Sequence, residues 1–177
     1  MDKRIVIHDT QELTERKHLI NKTAERTTLA LKELLYNKAG IGLLHDVRFL
    51  EIGQDPLRDR PLNFVEQLNQ TFTYLTSLQA TEYLMRVHKD HKPYILNLGT
   101  SPGFDIISED GLVIAETFAA TSPMSNEKLK KDCERVQNAI GVQYKYVFYY
   151  SPSNQDINRV KTKFPDVNIV RLHLELG

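Results

Sequence analysis

A single cysteine, Cys133, has nothing in the chain to pair with, which excludes an internal disulfide and a thiolate zinc site. A chain of 177 residues buries most of the surface it would expose when unfolded, so it needs no such staple. A reducing, cytoplasmic setting is the expectation. Long apolar runs are also missing: after Ile5 to Ile7 charge returns at once, and no stretch approaches the ~20 apolar residues of a membrane span. Neither a leader peptide nor a membrane partner is therefore expected. Lys plus Arg and Asp plus Glu each number 23, so there is no global basic field, and any phosphate-binding surface must be local. Repeats, low-complexity tracts and Gly/Ser linkers are absent. Gly99, Gly103 and Gly111 are not followed by Gly-Lys-Ser/Thr, which argues against a nucleoside-triphosphate loop. The histidines at 8, 18, 45, 88, 91 and 173 contain no His-x-x-x-His pair, which makes zinc a poor fit.

What is present reads as one α/β domain with an N-terminal extension over 1–62. A short strand at Arg4 to His8 precedes a helix over 10–37, in which Leu13, Ile20, Ala24, Leu31 and Leu35 recur near helical spacing and Gly40 lies just past the end. Residues 38–61 are open between strand and short helix. A second helix spans 63–89 and is stopped before Pro93. Three strand-like runs follow, Tyr94 to Leu98, Phe104 to Ser108 and Leu112 to Ala120, the last two joined by Glu109-Asp110-Gly111 in hairpin style. A helix from Asn126 to Ile140 is expected to be capped by Ser125, with Leu129, Cys133, Val136 and Ile140 inward. Tyr144 to Tyr150 is a strand by composition, its aromatics reading chiefly as core. A helix over Asn154 to Phe164 and a strand over Asn168 to Leu176 close the order.

Two acids stand out. A hairpin from Phe104 to Ala120 brings Asp105 near Glu116 on the neighbouring strand. Alternation puts Glu116 in a row with Leu112, Ile114, Phe118 and Ala120, where a charge costs free energy unless it is paired or bound to metal. Two carboxylates side by side hold a hard divalent ion. Mg²⁺ or Mn²⁺ so held neutralises a phosphate oxygen and lowers the pKa of an attacking water.

The stretch SPGFDIISEDGLVIAETFAA resembles the PD-(D/E)XK motif of the restriction-endonuclease-like nucleases. Pro102 precedes Asp105 by three, and ten residues separate Asp105 from Glu116. The order helix, three-strand meander, helix, strand over about 63–150 resembles the core of that superfamily, so the expected fold is a restriction-endonuclease-like α/β core over 63–177. The resemblance implies a Mg²⁺-dependent endonuclease acting on duplex DNA. It also implies a further metal-contacting acid at Glu66, a site shared by Gln67, and a homodimer for which helix 10–37 is the candidate element. The chain departs from the motif at Phe118, where lysine belongs, because a phenyl ring cannot orient water or stabilise charge. Lys128, at the start of the next helix, is the expected substitute. Lys131 and Arg135 continue its face, and with Asn126 and the helix N-terminus they form the candidate DNA-binding surface.

Ordinary readings stand beside these. Glu66 is also a routine helix-dipole partner, a Lys-rich face is usually solvated, and buried Cys133 is a small hydrophobe. The alternative class is a catalytically inactive nuclease-fold protein serving as a DNA-binding or regulatory module, which Phe118 and the neutral net charge favour. An acid pair serving glycoside or ester chemistry is the third.

Overall fold

The computed structural model describes residues 4–58, 60–98 and 102–174. In chain order the elements are β1 (Arg4–Ile7), α1 (Thr10–Asn37), α2 (Gly40–Phe49), β2 (Gly53–Gln54), β3 (Pro61–Leu62), α3 (Phe64–Val87), β4 (Tyr94–Asn97), β5 (Ile106–Ser108), β6 (Val113–Ala119), α4 (Lys128–Gln137), β7 (Tyr144–Tyr150), α5 (Asn158–Lys163) and β8 (Asn168–Arg171). The chain is thus mixed α/β, and it divides into two compact units, Met1–Leu13 with Thr76–Gly177, and Thr14–Leu75. The division falls inside α1 and α3, not at residue 62 where the extension was expected to end.

The first unit is built on a six-stranded mixed sheet in the order β1-β4-β5-β6-β7-β8. The pairings from β1 to β6 are antiparallel, and those of β6 with β7 and β7 with β8 are parallel. Each parallel step needs a crossover, and α4 and α5 supply them. Helical cover on the sheet explains why Val113 through Phe118 are buried without alternation, since a strand covered on both faces has no solvent side. On one face Ile114, Phe118, Val147 and Tyr149 pack with Leu129, Cys133 and Val136 of α4 and Val160 and Phe164. On the other, Tyr83 of α3 meets Tyr146 and Phe148 edge-on, with centroids 6.2 and 5.3 Å away.

Several expected boundaries shift for identifiable reasons. Asn126 and Glu127 both take positive φ, 53° and 55°, so α4 begins at Lys128, and Ser125 caps nothing. The helix ends at Gln137, which leaves Ile140 98% exposed instead of inward. α5 starts only at Asn158, whose N–H is taken at 2.8 Å by the Asp156 carboxylate in an Asx turn. The expected last strand stops at Arg171, and its end at Glu175 and Leu176 lies outside the described residues. Cys133 is fully buried, and burial pushes its thiol up to about 12, so it behaves as a small apolar side chain.

In the second unit the open segment 38–61 becomes α2 and the short β2–β3 hairpin. Buried positions on α1 include Ile20, Thr23, Thr27 and Leu34, whereas Leu35 is 53% exposed. The threonines are tolerated because their hydroxyls bond back to the carbonyls of Leu19 (2.8 Å) and Thr23 (3.1 Å).

Candidate functional site

The β5–β6 register sets Ile106 opposite Ala115 and Ile107 opposite Ile114. Asp105 lies just ahead of β5, outside the paired strand, and its charge is felt at Glu116 of β6. Asp105 is oriented by its neighbour on β6: the Thr117 N–H donates to Oδ2 at 2.8 Å and the Thr117 hydroxyl to the same atom at 3.3 Å. Ser77 of α3 shares a hydrogen bond of 2.8 Å with that hydroxyl, which fixes its rotor. Burial holds the Asp105 carboxyl above its usual range, against the Thr117 backbone bond and the charge of Lys128, which lower it.

Glu116 is 1% exposed. Its Oε2 accepts from Arg135 Nη1 at 3.1 Å, and its Oε1 is buried with no protein partner. Burial first, then the like charge of Asp105, pushes its carboxyl up to about 8, despite Arg135. Arg135 is shared: its other amino group donates to the Gly103 carbonyl, and its guanidinium lies over the Phe104 ring, 5.5 Å from the centroid. It was expected on a phosphate-gripping face, but in this structure its charge sits on the acid pair.

Lys128 comes to the same region, where its charge acts on both Asp105 and Glu116. Its Nζ rests at 2.7 Å on Asp132 Oδ1, one helical turn along α4. Asp132 is an acid that sequence reading missed. It is 3% exposed and faces inward with Leu129, Cys133 and Val136. The available signal was spacing, since position 132 falls three after Leu129 and four before Val136. Lys131 donates at 3.1 Å to the carbonyl of Asn126, and Asn126 is exposed. The helix N-terminus offered to an anion thus lies two residues beyond Asn126. Phe118 is in the core, stacked on Tyr149 at 5.8 Å and 19°.

Glu66 and Gln67 belong to the second unit. Glu66 is exposed, and its N–H is capped by the Asn63 side chain at 2.9 Å. Gln67 was expected near the metal, yet its Oε1 is occupied by Thr27 Oγ1 at 2.6 Å and the Gln54 N–H at 2.8 Å. It ties α1, β2 and α3 together, and its oxygen has no capacity left for a cation.

A hard divalent ion fits the donor set of the acid pair. The ligands on offer are carboxylate oxygens, and Glu116 presents one that is buried without a protein partner. Among the described residues no group of three His, Cys, Asp or Glu side chains converges closely enough to enclose a metal. The donors present suit a Mg²⁺-like ion, which takes one or two carboxylates and keeps water or phosphate elsewhere. No helix among the described residues is long and apolar enough to cross a membrane. No protein-family model matches the chain, and no curated protein matches it.

Proposed function

We propose that the protein is a Mg²⁺- or Mn²⁺-dependent DNA phosphodiesterase with a restriction-endonuclease-like core, in which Asp105 and Glu116 hold the ion. The observation that carries this reading is the buried, partnerless Glu116 oxygen, in a carboxylate that feels the like charge of Asp105. Two carboxylates so placed repel each other and resist ionisation, an arrangement that a divalent cation relieves. The order α3, β4–β5–β6, α4, β7, with sequential strands and a parallel crossover after the hairpin, supports the core assignment. Bound there, the ion supplies Lewis-acid stabilisation of the phosphate and a water of lowered pKa. Thr117 holds Asp105 in its orientation. Lys128 supplies the positive charge that Phe118 cannot, from the helix instead of the strand.

The test is incubation of plasmid with the purified protein and Mg²⁺ or Mn²⁺. Nicking or linearisation is expected, and Asp105→Ala and Glu116→Ala are each expected to abolish it. Cleavage that survives both substitutions rules out the assignment. The second reading, a nuclease-fold module that binds without cutting, is favoured by one contact: Arg135 already occupies one Glu116 oxygen. On that reading the plasmid stays intact while duplex DNA is still retained in a gel shift.

A further inference from the structure

α4 turns four side chains inward, Leu129, Asp132, Cys133 and Val136. Three are apolar and belong to the core. The fourth is a carboxylate in a setting that burial makes unfavourable. A residue needed only to anchor Lys128 would do so as well from the helix surface, where i,i+4 ion pairs ordinarily lie. Lys128 itself is 45% exposed, yet Asp132 is 3% exposed. Only one of its oxygens is used: Oδ1 accepts from Lys128, and Oδ2 is buried without a protein partner. The Asp132 charge is felt at Glu116, and that of Asp105 is felt at Asp132, so the three acids share one electrostatic environment. Two elements, β6 and α4, thus each bring a buried, partnerless carboxylate oxygen to this region. Hard oxygen donors of this kind suit a divalent cation and its waters.

We propose that Asp132 is the third acid of the cation site, a positioning residue that fixes Lys128 through Oδ1 and offers Oδ2 to the hydration layer of the ion. This rests on the reading of Asp105 and Glu116 given above. Because no three acids among the described residues converge as direct ligands, the role of Asp132 is to act through water. Outer partners of this type change metal affinity by roughly 10- to 100-fold when removed.

The experiment is calorimetric titration of Mn²⁺ into the full chain and its variants, without DNA, with folding checked by circular dichroism and the thermal midpoint. Asp132→Asn is expected to weaken Mn²⁺ binding about tenfold or more, and the loss is expected to persist when Lys128→Met is the background. Asp132→Ser serves the same comparison should the amide disturb the helix. Wild-type affinity in both Asp132 variants overturns the proposal, and so does a loss that vanishes in the Lys128→Met background, since Asp132 then acts through Lys128 alone. In either case Mn²⁺ binding that Asp105→Ala abolishes leaves the underlying reading standing. A wild-type chain that binds no Mn²⁺, or binds it equally well after Asp105→Ala, removes that reading and the proposal with it.

Discussion

Glu116 sits where an ionised carboxylate is opposed both by burial and by Asp105, and the consequences are measurable without substrate. Its carboxyl is raised from an ordinary 4.5 to about 8, so between those values the folded chain holds a proton that the unfolded chain releases. Stability of the metal-free protein is therefore expected to fall as pH rises from 4.5 to 8. Glu116→Gln is expected to flatten that slope and to raise metal-free stability at pH 8 by about 1–3 kcal/mol, read from urea unfolding at several pH values. An unchanged slope in the variant would count against the buried-acid description. For Lys128, substitution by Met is expected to slow plasmid cleavage by about 10²-fold, measured as initial rate at saturating Mg²⁺. These residues were not equally legible in the sequence. Glu116 interrupts an apolar strand row and so declares itself, whereas Asp132 lies in the run Lys-Leu-Lys-Lys-Asp-Cys-Glu-Arg, where an acid reads as one more solvated charge. Only the position of α4 against the sheet turns it inward. The partners of Arg135 were hidden for the same reason, because Glu116 and Gly103 are distant in sequence and adjacent only once the hairpin packs.

At the scale of elements, the β5–β6 hairpin that carries the acid pair is closed by Asp110. Its carboxylate accepts from the Ser108 hydroxyl at 2.6 Å and the Leu112 N–H at 3.0 Å, and it pairs with His91 at 2.6 Å. The Ser108 bond is the largest of several effects that pull its carboxyl down to about 2. A depressed acid contributes stability above its ordinary value of 3.8 and loses it as pH falls through about 2. Asp110→Asn is thus expected to be less stable than wild type at pH 7 and equal to it near pH 2. Because the side chain is 39% exposed, the gap at neutral pH is expected to stay below about 1 kcal/mol. A second element-scale prediction concerns Gly53, where a Cβ would sit inside the Gln67 side chain. Gly53→Ala is expected to destabilise the 14–75 unit by about 1–3 kcal/mol, read as faster amide exchange in β2 and α1. Long elements were readable because periodicity accumulates: α1 runs Thr10–Asn37, where 10–37 was expected, and α3 runs Phe64–Val87, within the expected 63–89. The β2–β3 hairpin was not readable, since strands of two residues carry no period. The start of α4 was missed because two non-glycine residues adopt positive φ there, a conformation that sequence does not advertise.

At the scale of the whole molecule, on the proposed reading, zero net charge and local use of the basic side chains would limit how duplex DNA is held. Lys128 and Arg135 rest on acids, and Lys131 on a backbone carbonyl. If these three make the phosphate contacts, log affinity for duplex DNA is expected to fall with log salt at a slope no steeper than about −3. Fluorescence anisotropy across a salt series checks this, and a much steeper slope would require a basic surface elsewhere. The division into two units was invisible in the sequence because it cuts through two continuous helices, where neither composition nor turn residues change. The central claim concerns one place in the first unit, and a crystal soaked in Mn²⁺ tests it most directly. An anomalous peak bound by the Asp105 and Glu116 carboxylates at about 2.1 Å, with Arg135 drawn off Glu116, is the predicted result. A fully soaked crystal with no peak there, and with Arg135 still on Glu116, would contradict the account.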